Sequence, residues 1–322
     1  MNSKRSNGRC RSRGRAPGWG EPRGDSRYCG HRGQRGVALI TVTLLLALMT
    51  LLAGAALGIA RTSAKLAANH LTIASAEVLA DSAIRGAILS LIADDSRRRW
   101  AVGGSSTAFS FHGGTVNVRI LDESGRIDLN GADAALLAAA FAANGMSEKE
   151  ARAVADRLID WRDPDDALGT SGAERLEYRQ RGLGYGPRNG PFESPDEVWL
   201  VLGMPVDRRA KLEVLFTVYT GQSGVNETAA SPDVLTVLKW ADARQWGGRR
   251  WLAETPAAPG DLSQPMTGRV VRITAESSGD APAAQPVVRE AIVRLTGNRH
   301  EPTIVHSWTT SYAVMARHST ST

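Results

Sequence analysis

Cysteine is nearly absent from this chain. Its 322 residues contain two, Cys10 and Cys29, both ahead of position 37, and no CxxC pair exists. That leaves no sequence signal for a zinc site or a dithiol redox centre. Residues 37–322 would have to fold without a disulfide, on packing or on packing with a metal. Catalytic signatures are also lacking. There is no GxSxG, Walker A or HExxH motif, and the six histidines are scattered. Gly182-Leu-Gly184-Tyr-Gly186 does not complete a dinucleotide fingerprint and has no strand before it. No catalytic residue is assigned, and the chain is not expected to be an enzyme. Charge is missing altogether from Val37 to Ala60, and the first acid after Val37 is Glu77.

The uncharged stretch is a twenty-four-residue run rich in Leu, Ala, Val and Ile. At about 1.5 Å per residue it makes a helix of roughly 36 Å, enough to cross a hydrocarbon core of about 30 Å. Secretory signal peptides have shorter apolar cores, with the small-residue cleavage site after them. Here the small residue, Gly36, precedes the run, so a cut between Gly36 and Val37 would leave the anchor on the mature protein. Residues 1–36 hold ten Lys/Arg and two acids, Glu21 and Asp25, while only Arg61 and Lys65 closely follow the span. The positive-inside rule therefore puts the N-terminus in the cytoplasm and everything after about residue 62 across the membrane.

The same asymmetry relocates the basicity. Of 39 Lys/Arg and 33 Asp/Glu, the leader takes ten and two, which leaves 29 and 31, a net −2 beyond it. A basic chain raises the question of nucleic acid, but this body has no net positive charge, and the leader reads as a solvated basic tail serving topology.

From Arg61 to about Asp95 there is no proline, and Leu66, Ile73, Leu79, Ile84, Ile88, Leu91 and Ile92 recur mostly at helical spacing. The pattern predicts one long helix, apolar in its first half and amphipathic in its second, with Gly86 the weak point at which it could instead divide. Thr107–His112 and Thr115–Leu121, around Gly113-Gly114, read as a β-hairpin. Between Asp122 and about Ala241 the pattern turns to short helices. One opens at Asn130 and ends near Asn144-Gly145. Another starts with a capping box at Ser147 and Glu150 and runs to about Trp161. A third is capped by Ser194 and runs through Val201-Leu202, and a fourth covers about Ser231 to Trp240. Strands return at Arg269–Ala275 and Val287–Leu295. Strands on either side of a helical block point to an insertion into one α+β domain. The predicted division is 1–36 leader, 37–60 membrane half of the helix, 61–121 helix and first strands, 122–262 inserted helical domain, and 263–322 final strands and tail.

Within the block, the loop from Asp163 to Pro191 carries nine glycines and prolines. Asp160, Asp163, Asp165, Asp166, Glu174 and Glu177 are its candidate ligands for a hard cation, since calcium takes six to eight oxygens from carboxylates, carbonyls and water. The spacing is not that of an EF-hand, and a solvated acidic loop with helix-capping aspartates would read the same way. The segments around Leu129-Asn-Gly-Ala and Phe192–Met204 look like helix-hairpin-helix units. Such units hold DNA phosphates on backbone amides or serve as protein scaffolds, and Glu193, Asp196 and Glu197 at the helix start favour the scaffold. Trp161, Trp199 and Trp240 read as packing residues.

Five stretches in order carry a family resemblance: Arg35-Gly-Val-Ala-Leu-Ile, Asp122-Glu-Ser-Gly-Arg-Ile-Asp-Leu-Asn, Leu158-Ile-Asp-Trp-Arg-Asp-Pro-Asp-Asp, Arg188-Asn-Gly-Pro-Phe-Glu-Ser-Pro-Asp-Glu-Val and Ser223-Gly-Val-Asn. Over about residues 35–295 the chain resembles the K-class minor pseudopilins of type II secretion (general secretion pathway protein K). The resemblance implies a pilin-like α+β fold: a long N-terminal transmembrane and amphipathic helix packed on a small antiparallel sheet, with a large inserted α-helical domain containing helix-hairpin-helix-like units. It implies prepilin-peptidase cleavage after Gly36, methylation of Val37, and a single-pass place in the bacterial inner membrane with the bulk in the periplasm. It also implies I- and J-class minor pseudopilin partners, with which the subunit starts and caps a fibre of the major pseudopilin, and possible contact with secreted proteins. Most pilin-like subunits carry a glutamate five residues into the mature chain, where it can neutralise the amine of the subunit ahead. This chain has Thr41, as suits a subunit with nothing ahead of it. Calcium in the acidic loop is also implied, although the turn that reads Gly-Ala-Glu-Asp in many members is Gly172-Ala-Glu-Arg175 here. The competing expectations are a membrane-anchored helix-hairpin-helix DNA receptor of a competence system and an anchored periplasmic enzyme.

Overall fold

The computed structural model describes residues 35–111, 114–246, 251, 266–277 and 286–312. The leader with both cysteines, His112, Gly113 and the C-terminal tail after Tyr312 lie outside the described residues, as does most of the segment before the last strands. The described residues fall into two units that divide between Lys65 and Leu66.

One helix, α1 (Arg35–Leu91), covers the apolar run and continues through Gly86 without a break. It is the one helix among the described residues long and apolar enough to cross a membrane. Its large side chains from Val37 to Ile59 are exposed, the arrangement a lipid-facing segment requires. Gly86 has its own packing reason: a Cβ there would lie 3.2 Å from the ring of Phe109.

The second unit has two separate cores. In the first, Ala80, Ala83, Ile84, Ala87 and Leu91 of α1 pack on Val116, Val118 and Ile120 and on Val271, Ile273, Ala291 and Val293. Each fully buried aliphatic side chain of Val or larger size contributes about 1.5–3 kcal/mol. The expected stripe is buried only at its C-terminal end, where Leu79 and Ile88 also pack against this core. Leu66, Ile73 and Ile92 remain exposed. The sheet is formed by β1 (Ser106–Phe111), β2 (Gly114–Asp122), β5 (Val270–Ser277), β6 (Val287–Leu295) and β7 (Thr303–Tyr312), all antiparallel neighbours in the order β1-β2-β5-β6-β7. The hairpin and the strands β5 and β6 lie where expected. Strand β7, at the edge, was not anticipated.

Between β2 and β5 the chain leaves the sheet and returns beside its point of departure, with Asp122 opposite Val271. The excursion holds β3 (Ile127–Asp128), α2 (Ala134–Ala143), α3 (Glu148–Arg162), α4 (Arg175–Gln180), α5 (Arg209–Leu212), β4 (Phe216–Thr217) and α6 (Pro232–Ala243). Asp133, Ser147 and Ser231 cap α2, α3 and α6, with the full capping box at Ser147 and Glu150. The helix expected after Ser194 is a six-residue 3-10 helix, Pro195–Leu200. Proline fixes its first turn, and Gly203 at φ +84 follows shortly after it. The block surrounds the second core, built on Leu136, Leu137, Phe141, Leu158, Trp161, Tyr178, Phe216 and Trp246, among others. Trp199 and Trp240 pack against it. β3 and β4 pair in parallel, Ile127 with Phe216, a contact no local pattern announces.

Candidate functional site

The acidic loop is positioned by the end of α3. Asp160 lies on its last turn, buried at 2% exposure, and Asp163 is the C-cap residue, its N–H donating to the Ile159 carbonyl at 3.0 Å. The loop then wraps Asp160. The Asp160 Oδ2 accepts the N–H groups of Gly169 at 3.2 Å and Ala173 at 2.9 Å. This wrapping demands glycine: a Cβ at Gly172 would lie 1.8 Å from that oxygen, and one at Gly169 would lie 2.7 Å from Oδ1. The Ser171 N–H donates to Asp156 at 3.1 Å, and the Ala167 N–H to Asp165 at 2.8 Å. Asn189, at φ 54, donates from Nδ2 to the Asp165 carbonyl at 3.2 Å and to Asp166 Oδ1 at 2.8 Å, and its own N–H meets the Trp161 carbonyl at 3.0 Å. Trp161 stacks on Phe192 with centroids 6.1 Å apart and meets Tyr178 at 6.0 Å. Burial pushes the Tyr178 phenol up to about 12, and its oxygen accepts the Leu202 N–H.

The six predicted ligands therefore divide. Asp160, Asp163 and Glu174 are the inner groups. Asp165 and Asp166 are exposed on the rim. Glu177 caps α4, accepting the Glu174 N–H at 2.9 Å. Glu174 is 7% exposed, and neither of its carboxylate oxygens has a hydrogen-bond partner. Asp163 Oδ1 and Asn189 Oδ1 are buried and unpartnered as well. Burial, followed by the neighbouring Asp160, Asp163, Asp166 and Asp165, pushes the Glu174 carboxyl up to about 7. Burial also raises Asp160 against the hydrogen bonds from Gly169 and Ala173, and it raises Asp163 with help from Asp165 and Asp160. A buried, unpaired carboxylate among like charges is costly unless a cation joins it. The orphaned oxygens are carboxylate and amide acceptors, the donor chemistry that calcium takes. Among the described residues no group of three or more Asp, Glu, His or Cys side chains is arranged to hold a metal as it stands. A bound ion would therefore complete its shell with carbonyls, the Asn189 amide and water. Asn189 was missed from sequence; the signal was Asn189-Gly190, a dipeptide suited to a left-handed turn.

At the other candidate, the start of the 3-10 helix, the backbone amides are already engaged. Ser194 Oγ accepts the Asp196 N–H at 3.2 Å and Glu197 accepts the Glu193 N–H at 3.3 Å. Arg188 pairs with Glu193 and Glu197, and Arg209 with Asp196 at 3.1 Å. The helix start thus holds acids and no free amide cradle, which disfavours a phosphate backbone and fits a scaffold.

At the N-terminal join, Arg35, Gly36 and Val37 form the first turn of α1. Thr41 Oγ1 donates back to the Ala38 carbonyl at 2.9 Å, and Thr43 and Thr50 bond within the helix in the same way. The hydroxyl at position 41 is satisfied locally and offers no charge to a neighbour.

Two segments quoted for the family resemblance converge at the base of the block. Glu123, fully buried, pairs with Arg272 at 2.6 Å and accepts Thr217 Oγ1 at 2.5 Å. Asn226 donates its N–H to the Ser124 carbonyl at 2.8 Å. Asp128 accepts the N–H groups of Asn130, Gly131, Thr220 and Gly221 and the Thr220 hydroxyl. The contacts among Glu123, Thr217 and Arg272, and those of Asp128 with Thr220 and Gly221, were invisible in sequence because the partners lie far apart in the chain.

Residues 114–221 match the family described as type II secretion system (T2SS), protein K. The type II secretion system protein K of Pseudomonas aeruginosa is 29% identical over 238 residues, covering 66% of this chain and 71% of that protein. A chain in the crystal structure of the GspK-GspI-GspJ complex from enterotoxigenic Escherichia coli superposes with a TM-score of 0.51 at 17% identity, covering 79% of this chain and 99% of that one. This likeness shows the pilin-like α+β fold.

Proposed function

The chain belongs to the protein K family of type II secretion, and from that premise we propose that it is the tip subunit of the pseudopilus, assembled with I- and J-class minor pseudopilins and anchored by α1. The observation that carries the tip position is Thr41. A carboxylate buried in lipid is costly unless paired, and a subunit with no neighbour ahead has no amine to pair it with. The self-bonded hydroxyl at Thr41 adds no negative charge to the helix start.

The remaining steps follow from the same join. A prepilin peptidase cuts after Gly36 and methylates the Val37 amine, releasing the basic leader after it has set the topology. The anchor stays in the inner membrane with the body in the periplasm, and the finished trimer starts and caps a fibre of the major pseudopilin that exports folded proteins. The complex named for the Escherichia coli structure supports I- and J-class partners here. The body works by contact and is not an enzyme. Calcium, when bound, supplies positive charge to a loop whose own groups repel one another. Asp163, Glu174 and Asn189 would hold it, Asp160 fixes the loop around it, and Asp165 and Asp166 supply field from the rim.

The test is co-purification of residues 62–322 with the I- and J-class subunits, followed by localisation of the processed chain on the fibre. A stoichiometric complex at the fibre end is expected. Recovery of the body without either partner, or its incorporation along the fibre, would overturn the reading.

A further inference from the structure

The two cores of the second unit do not merge. One is built on α1 and the sheet, the other within the helical block. Among the described residues, polar contacts link them. Asp122 faces Arg269 at 3.5 Å. Glu123 binds Arg272, which also reaches Glu290, while Arg126 stands 3.7 Å from the same Glu123 oxygen. Arg294 of β6 donates to the Tyr219 carbonyl at 2.7 Å, and the Tyr219 ring meets His306 of β7 with centroids 5.5 Å apart. Beside these contacts lies a cleft of about 180 Å³ lined by polar groups including Ser124, Thr220, Gln222 and Asn226.

Hydrophobic burial is non-directional, so apolar contact alone would leave the block free to settle at several angles. An interface without an apolar centre permits relative motion by default. Charge-assisted hydrogen bonds with fork geometry do specify an angle. Buried ion pairs of this kind are close to neutral in stability against apolar replacements, whereas breaking one by removing a single partner is costly. We infer that Glu123, Arg272 and Arg294 are positioning residues that fix the angle of the helical block on the sheet, and that this is their role in preference to stabilising either part. Glu123 lies at the exit from β2, while Arg272 and Arg294 lie on the neighbouring strands β5 and β6, so the set grips the block at its root from both strands.

The experiment measures the angle directly. Cys10 and Cys29 are replaced by serine in the full chain, Lys149→Cys is placed in the block and Arg299→Cys near the sheet, and the distance between spin labels is recorded in detergent. The unaltered root is expected to give one narrow distribution. The triple variant Glu123→Leu/Thr217→Val/Arg272→Met removes the two most buried charges of this cluster and the hydroxyl bonded to Glu123, and leaves Arg126 and Glu290, whose side chains reach solvent. It is expected to unfold within a few degrees of the parent, yet to give a distribution at least twofold wider or displaced. A second variant, Arg294→Met, removes a half-buried contact without stranding a charge and is expected to widen the distribution to a smaller extent. Narrow, unshifted distributions in the folded variants would overturn the inference. If the triple variant does not fold, the role of the network is stability, and the inference fails for Glu123 and Arg272.

Discussion

Replacing Glu174 by glutamine should make the calcium-free body more stable at pH 8. The Glu174 carboxyl has its folded value raised from 4.5 to about 7. A group raised in this way favours the folded state in its protonated form. Its contribution is therefore fully present below about pH 4.5, is lost as pH rises towards 7, and stays lost above that. At about 1.4 kcal/mol per pKa unit the full effect would be roughly 3.4 kcal/mol. The loop rim at Asp165 and Asp166 is open to water, and screening there reduces the expected gain to about 1–2 kcal/mol. For a body of this size that raises Tm by about 2–8 °C. The assay is thermal unfolding of residues 62–322 in chelator at pH 8 and pH 4.5, then at pH 8 with calcium. Glu174→Gln should gain at pH 8 and show little change at pH 4.5. Calcium should stabilise the parent, by about 2.7 kcal/mol at a hundredfold excess over Kd, and the variant much less. A variant no more stable than the parent in chelator, or one that gains as much from calcium, would refute the electrostatic account of this loop.

Gly172→Ala should destabilise the loop by about 1–3 kcal/mol and abolish the calcium response, because its Cβ would collide with the Asp160 carboxylate; calorimetry with and without calcium checks both. Gly36→Ala should leave the precursor uncut, seen as a band retaining the leader on immunoblots, together with loss of secretion; a normally processed band would remove Gly36 from the cleavage site. Arg272→Met alone should cost about 3–5 kcal/mol by stranding the Glu123 carboxylate, measured by denaturant unfolding. Although burial opposes it, Arg272 and the other partners hold Glu123 below the usual carboxylate range. Its stabilising contribution is therefore present above about pH 4.5 and is lost on acidification, the reverse of Glu174. The Arg272→Met body should consequently lose less stability than the parent between pH 5 and pH 3.

What could be read in the sequence depended on how far the causes reach. The caps at Ser147 and Ser231 act within one helical turn, and α3 and α6 follow where the pattern places them. The alternation in β2 and β5 survives because one face of each is buried, while in β6 it is interrupted by the register shift at Ile292 and Val293. Strand β7 reads Thr-Ile-Val-His-Ser-Trp-Thr-Thr-Ser-Tyr, and its Ile304 and Val305 are exposed. An edge strand pairs on one side only, so its pattern is weak. The six acids of the loop were visible as a group, but their separation into orphaned, engaged and capping members depends on Gly169, Gly172 and Asn189. The ion pair between Glu123 and Arg272 joins residues 149 apart, beyond the reach of any local signal.

The return of the chain beside its departure, at Asp122 and Val271, also bears on the order in which the protein becomes a folded body. The sheet cannot close until β5, β6 and β7 are available, since β2 is otherwise paired only with β1. The helical block is contiguous in sequence and has its own core, so its contacts become available first as the chain emerges. Closing the sheet afterwards means joining two strands already brought together by a folded spacer, which spares most of the loop-closure entropy of a flexible segment of that length. On this topology the inserted block is expected to act as a folding template for the sheet that carries it, built from the middle of the chain outward.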